Sequence, residues 1–262
     1  MKKLTRSPLK DPPVRNPGQS LDEQRIELFT DRLITPLLAA AIFGVVAMQE
    51  WVRMFMPRDP MPWMFTAVFA AAAGFFLYRI FRTRPAIRRL KQARDGERAV
   101  GQYLERLRAD GYEVFHDLIG DGFNVDHVLI GPGGVFTVET KFYSKPASGP
   151  AEISFNGEQV AIGGWQLDRN PVIQARAQAG WLRALLKETT GRDFSILPVI
   201  VYPGWFVKQD GRPRTPLWVL NTKALPQFLK NREPTLGQSD IKLTAYHLSR
   251  FIRAHERERA NG

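Results

Sequence analysis

Two long runs without a charged side chain dominate the first third of the sequence, at residues 33–49 (LITPLLAAAIFGVVAMQ) and 61–78 (MPWMFTAVFAAAAGFFLY). Each approaches the roughly 17 to 25 residues that cross the hydrocarbon of a bilayer. Trp51 and Trp63 stand where interfacial aromatics stand. Beyond residue 94 the pattern changes to short elements. Residues 95–109 set Val100, Leu104 and Leu107 on one helical stripe, and 112–118 (YEVFHDL) read as a strand. Residues 124–141 spell NVDHVLIGPGGVFTVETK, two apolar strands about Gly131, Pro132, Gly133 and Gly134, the signature of a tight turn. A second hairpin is predicted over 153–162 (ISFNGEQVAI), with Asn156 and Gly157 as its two-residue turn. Asn170 and Pro171 suit the cap and first position of a helix that presents Gln174, Gln178, Trp181 and Leu185 on one face. Residues 194–202 (FSILPVIVY) predict a strand covered on both sides, in which Pro198 implies a bulge or an edge. A short strand over 217–220 and helices over 222–229 and 239–255 follow. This order predicts an α/β domain from about residue 95 onward.

Three regions result. Residues 1–30 are Pro-rich and polar and predict a disordered basic tail. Residues 31–84 form a transmembrane helical hairpin, and 85–262 a cytoplasmic domain that begins with a basic juxtamembrane helix over 84–94, suited to anionic lipid. The net charge of +11 points to an anionic partner, nucleic acid or the inner face of a membrane. Topology accounts for part of it. Lys2, Lys3, Arg6, Lys10, Arg25 and Arg32 precede the first run and Arg79, Arg82 and Arg84 follow the second, whereas the loop between holds Arg53 and Arg58 against Glu50 and Asp59. The positive-inside rule then predicts a multi-pass protein of the cytoplasmic (inner) membrane with both termini cytoplasmic. A cleaved signal peptide is not expected, because a long polar stretch precedes the first apolar run and a second run follows it. The absence of cysteine excludes disulfides, thiolate zinc sites and cysteine nucleophiles. Four histidines without a close pair in sequence argue against a histidine-rich metal site.

The chemistry concentrates in the first hairpin. Folding it about Pro132 and Gly133 sets Asp126 across from Glu139, with Cβ atoms roughly 5 Å apart. Two such carboxylates repel unless a cation lies between them, and Mg²⁺ is commonly held by one or two carboxylates plus waters and phosphate oxygens. Period-2 alternation brings Lys141 to the same face and turns Phe136, Val138 and Thr140 the other way; His127 also points away. Glu97 falls on the stripe of the 95–109 helix, either as a favourable first-turn acid or aimed at the metal. Gln174 is either a surface residue or reaches a metal-bound water or a phosphate.

GERAVGQYLERL, VFHDL, NVDHVLIGPGGVFTVETK, NPVIQARAQAGWLRALL and ILPVIVYPG, in this order over about residues 96–203, resemble the nuclease-related domain (NERD) family of the PD-(D/E)XK nuclease-like superfamily. The resemblance implies a mixed sheet flanked by helices, Mg²⁺ (or Mn²⁺) as cofactor and nucleic acid, DNA ahead of RNA, as substrate. It also implies roles: Glu97 matches the acid of the first helix, Asp126 the first strand acid, Glu139 and Lys141 the E-x-K pair, and Gln174 the glutamine of the following helix. Glu97, Asp126 and Glu139 would then hold the metal. The expected function is a membrane-anchored nuclease; the alternative is a non-catalytic membrane-tethered module binding nucleic acid or protein on the same fold.

Overall fold

The computed structural model describes residues 15–55, 62–120, 122–146, 151–167 and 169–261. In chain order its elements are α1 (Gln19–Phe29), a π-helical turn (Thr30–Ile34), α2 (Thr35–Arg53), α3 (Pro62–Leu104) and a 3-10 stretch (Glu105–Asp110). Then come β1 (Glu113–Ile119), β2 (Asn124–Gly131), β3 (Gly134–Thr140), β4 (Glu152–Phe155), β5 (Val160–Ile162) and β6 (Trp165–Gln166). The chain continues as α4 (Pro171–Thr190), β7 (Ile196–Val201), β8 (Phe206–Gln209), β9 (Trp218–Leu220), α5 (Leu225–Lys230) and α6 (Gln238–Asn261). Two units divide it: Ser20–Arg94, and a second made of Met1–Gln19 with Asp95–Gly262.

The second unit is a mixed α/β fold with two sheets. Gly134, at φ 125°, takes a conformation that side chains resist, and it closes the turn that pairs β2 with β3. β1, β2 and β3 form an antiparallel meander; β7 adds parallel to β3 and β9 parallel to β7, giving the order β1-β2-β3-β7-β9. Alternation then sorts the apolar residues by layer. Leu129, Phe136, Val138 and Val199 pack on Val100 and Leu104 of α3 and on Leu225 and Leu229 of α5. Val128, Ile130 and Val135 pack on Leu182 and Leu186 of α4 and on Ile241, Leu248 and Ile252 of α6. Each such side chain contributes about 1.5–3 kcal/mol when fully buried. A slip of one residue would send every set to the wrong layer, which fixes the register. β1 breaks the alternation at Asp117, whose φ of 51° turns the strand over, so that Leu118 joins the α4 and α6 layer.

The smaller sheet, β6-β5-β4-β8, packs Ile153, Phe155 and Val160 against Val172, Tyr202 and Trp205. Two local expectations change here. Phe155 pairs with Val160, so four residues rather than two make the turn. The Asn156 side chain, accepting from the N–H groups of Glu158 and Gln159, organises that longer loop. Pro198 causes neither a bulge nor an edge, since β7 lies between β3 and β9 with Pro198 in register with Thr137. The Tyr202 N–H donates to Leu220, so by alternation the position-198 nitrogen faces the β9 side, where pairing begins only at Val199. The missing donor therefore leaves no ladder bond unmade.

Residues 1–14 of the expected tail lie outside the described residues, but 15–30 do not follow the expectation of disorder: Arg15 is buried and α1 starts at Gln19. The separate helices expected over 84–94 and 95–109 run together in α3, which carries Pro85 inside it, and the end of the second falls in the 3-10 stretch from Glu105. In the Ser20–Arg94 unit, the Trp51 indole donates to Thr66 (3.0 Å) and meets Trp63 edge-on, and Arg94 pairs with Asp22 (2.7 Å). Gly44 admits the Phe69 ring at 3.0 Å from where a Cβ would stand. Ile42, Val45, Met48, Phe75, Leu77 and Phe81 are all exposed. Gln19–Arg53 and Pro62–Asp110 each contain a helical window long and apolar enough to cross a membrane, by length and composition.

Candidate active site

The register of the hairpin is the one its turn predicts. His127 pairs with Val138 and Gly131 with Gly134, so extension by one residue sets Asp126 opposite Glu139. The Thr140 N–H donates to Asp126 Oδ2 at 2.7 Å, which orients the carboxylate along the strand end. Lys141 continues β3, its backbone N–H donating to Val201 of β7 at 3.0 Å, and its Nζ donates to Glu139 Oε1 at 2.6 Å. α4 supplies the rest. Asn170 caps that helix by accepting from the Val172 N–H, with Pro171 in the first turn. Gln174 Nε2 donates to Glu139 Oε1 (2.7 Å) while its Oε1 accepts from Lys141 (2.9 Å). Gln178, one turn on and buried, donates to Glu139 Oε2 (2.5 Å) and to the Asn124 carbonyl (2.8 Å).

Glu97 arrives from the last turns of α3. The preceding residue makes this approach feasible: a Cβ on Gly96 would stand 2.5 Å from the Phe142 ring, so only glycine lets the residue after Lys141 pack on the helix backbone. Burial, then the charges of Asp117 and Glu139, push the Glu97 carboxyl up to about 8, with Lys141 opposing. Asp126 is raised well above its ordinary value, first by burial and then by Glu139 and Glu97. Burial works against the Lys141 charge, yet Glu139 and Asp126 hold its pKa above the ordinary lysine value. All five residues singled out from the sequence are thus drawn into one network of contacts and charge.

Three residues that sequence reasoning did not assign to the site also bear on it. Gln178 had a signal, standing four residues from Gln174 on the same helix face. Asp117 had a weaker one, a polar residue in an apolar strand: His116 pairs with His127 and Leu118 with Val125, which sets Asp117 opposite Asp126. The carboxylates of Asp117, Asp126 and Glu139 therefore come from neighbouring positions on three adjacent strands. Arg15 had no signal. Its Nε and Nη2 donate to Asp117 Oδ2 at 3.0 and 2.9 Å, and its Nη1 donates to Glu256 of α6 at 2.7 Å.

The opposite face of the hairpin is also polar. His116 and His127, apart in sequence, meet Nδ1 to Nδ1 at 2.9 Å; His116 Nε2 lies 2.8 Å from Glu105 and His127 Nε2 3.4 Å from Thr140 Oγ1. Burial lowers both imidazole pKa values, and His116 lowers that of His127 further. Both shifts favour the neutral imidazoles, which suits a hydrogen bond between the two Nδ1 atoms, and the Thr140 hydroxyl is turned toward the pair and away from the carboxylates.

Among the described residues no group of three His, Cys, Asp or Glu side chains forms a ready-made metal cage, because Glu139 is occupied by Lys141 and two glutamines. The donors present nevertheless fit a hard divalent cation. They are carboxylate oxygens, two of the groups have pKa values raised first by burial and then by neighbouring negative charge, and Mg²⁺ needs only one or two carboxylates beside water and phosphate oxygens.

The site thus joins a mixed sheet flanked by helices to acids and a lysine that meet beside the C-terminal end of one strand. Residues 92–203, from the late turns of α3 to just past β7, match the model of the NERD family, "Nuclease-related domain", of the PD-(D/E)XK-like nuclease superfamily, so over this stretch the chain is similar to such domains. No curated protein and no solved structure matches the chain.

Proposed function

We propose that this protein is a membrane-anchored, Mg²⁺-dependent nuclease that hydrolyses phosphodiester bonds of nucleic acid, with DNA as the preferred substrate. The observation that carries the reading is the Lys141 ammonium set directly on Glu139, beside Asp126 and Glu97, in a domain of nuclease-related type. Asp126 and Glu139 would hold the cation, with Glu97 contributing directly or through water. When bound, it supplies neutralisation of the carboxylates and Lewis-acid polarisation of the scissile phosphate.

The chain's own groups do the remaining work. Lys141, kept charged, exchanges part of its contact with Glu139 for a non-bridging phosphate oxygen and offsets the charge that builds there. Gln174 touches both Lys141 and Glu139 and fixes their separation. Gln178 holds the second Glu139 oxygen and so aims the carboxylate. Thr140 does the same for Asp126 through its backbone N–H. Hydrolysis adds the oxygen of water to phosphorus and breaks one P–O ester bond. The proton lost by the water and the one gained by the leaving oxygen pass through solvent and the carboxyl groups lining the site.

The two apolar helices, with their exposed aliphatic and aromatic side chains, serve as the anchor, and both termini lie on the cytoplasmic side. Extraction of membranes at alkaline pH with protease protection of tagged termini tests this. A protein released by alkali, or a terminus shielded from protease in inverted vesicles and cut from the other side, would defeat it. For the chemistry, full-length protein in detergent is incubated with plasmid, linear duplex, single-stranded DNA and RNA, with Mg²⁺, Mn²⁺ or chelator, beside Glu139→Ala and Asp126→Ala. Metal-dependent cutting that both substitutions abolish is the expected result. Binding without cutting under every condition would make the domain a non-catalytic interaction module.

A further inference from the structure

On the flank of α4 turned away from Glu139 lies a cavity of about 320 Å³ between that helix, the start of β7 and the segment leading to β9. Three arginines line it, Arg176, Arg183 and Arg232, together with the hydroxyl residues Ser195 and Thr215. Their circumstances differ. Arg183 is committed to Asp193 through two bonds of 2.6 Å. Arg232 donates from Nε to the Gly133 carbonyl (2.6 Å) and lies over the Phe136 and Trp218 rings, which leaves both Nη groups for other acceptors. Arg176 has buried Nε and Nη2 atoms with no hydrogen-bond partner.

A guanidinium is never deprotonated in a protein, so these donors cannot be relieved by losing a proton. Buried charged donors without an acceptor are costly, and a native structure retains them where a water, an ion or a ligand supplies the acceptor. An anion answers the positive charge as well as the donors, since no acid lines the cavity and Asp193 is already taken. It must present several oxygens, to meet Arg176, the free edge of Arg232 and two hydroxyls together. Arginine forks match tetrahedral oxyanions bidentately. The room is ample too: Gly180, at the helix side of the cavity, has nothing within 4 Å of where a Cβ would stand.

We propose that this cavity is a second anion site, separate from the carboxylate cluster, which binds a phosphate group between Arg176 and Arg232. The site sits at the N-terminal end of β7, beside Ser195 to Pro198, whereas Glu139 is in register with Ile200 near the other end. A phosphate held here therefore does not occupy the reacting position. It belongs either to the backbone of a bound nucleic acid beyond the cutting point or to a free phosphate or small phosphorylated molecule.

Full-length protein with chelator present is titrated calorimetrically with inorganic phosphate at constant ionic strength, beside Arg176→Gln, Arg176→Lys and Asp126→Asn. Phosphate binding that Asp126→Asn leaves unchanged and Arg176→Gln weakens by about tenfold or more is the expected result, with Arg176→Lys between because it keeps charge without the fork. Equal affinity for all four proteins, or no binding to the wild type, overturns the proposal. Thermal unfolding of the same samples guards against a misfolded glutamine variant; if it fails to fold, the charge-conserving Arg176→Lys decides, and unaltered affinity there refutes the fork. Repeating the titration with a single-stranded oligonucleotide bound separates the two sources. Loss of phosphate binding assigns the site to nucleic-acid backbone, and retention assigns it to a free phosphate or phosphorylated small molecule.

Discussion

Arg15→Met strips the guanidinium from the far end of the carboxylate row while preserving most of the stem. It removes two hydrogen bonds to Asp117, of 2.9 and 3.0 Å, and one of 2.7 Å to Glu256. The side chains of Arg15 and Asp117 are each 2% exposed, so the remaining carboxylate has no ready access to water. Removing one partner of a buried ion pair costs about 3–5 kcal/mol, chiefly because the other charge stays buried. At about 2–4 °C per kcal/mol for a chain of this size, Tm should fall by about 6–20 °C. Asp117 is also the largest charge acting on Glu97, so the pair stands next to the group whose carboxyl is pushed up to about 8. Asp117→Asn removes the carboxylate charge that Arg15 faces, and adding it to Arg15→Met should restore most of the loss. Thermal unfolding of the full chain, both single variants and the double variant at pH 7, closes a double-mutant cycle with an expected coupling of about 2 kcal/mol or more. If Arg15→Met unfolds within about 1 kcal/mol of wild type, or the double variant loses the sum of the two singles, the charge-pairing argument fails.

Other outcomes follow from the same geometry. In chelated protein Glu97 titrates near 8 rather than at its ordinary 4.5, so the folded state holds the extra proton between these values and stability falls as pH rises from about 5 to about 8. Saturating Mg²⁺ should flatten that slope; a chelated protein whose Tm is constant over the range would contradict the raised pKa. Lys141→Ala should lower kcat by about 10²–10³ with less effect on KM, measured on whichever substrate the wild type cuts, and an unchanged kcat removes Lys141 from the chemistry. Gln178→Leu leaves Glu139 Oε2 and the Asn124 carbonyl without their donor and should cost about 1–3 kcal/mol in denaturant unfolding, whereas the exposed Gln174→Leu should cost less stability and more rate. Gly96→Ala forces Phe142 off the helix and should depress activity more than it depresses Tm.

The part of the site built on one hairpin was legible because strand pairing is nearly deterministic once the turn is known. Gly131 and Gly134 bracket the turn, and every later pair, up to Asp126 opposite Glu139, follows by counting. The helix of Gln174 was legible from its cap. Long-range packing was not. Nothing in the run RSPLKDPPVRNPG says that Arg15 will be buried against β1 and α6, since the apolar content that usually signals order is missing and an ion pair takes its place. The second sheet was half legible: the β4 and β5 hairpin carries Asn156 and Gly157, but β8 pairs parallel to β4 across a long connection, and four residues of FVKQ carry no pattern that announces it. Pro198 misled for a similar reason, because whether a missing N–H matters depends on where a neighbouring strand begins.

Arg15 and Asp95 belong to one folded unit, although the 75 residues from Ser20 to Arg94 lie between its two pieces. The apolar helices are thus an excursion that departs from a domain and returns to it. A chain that leaves and re-enters one folded body passes through any intervening sheet of lipid an even number of times or not at all. Parity is set by the closed path itself and owes nothing to the distribution of lysine and arginine. A variant that lost one of the two helices could keep the Arg15 to Asp117 pair, or keep a single crossing, but not both.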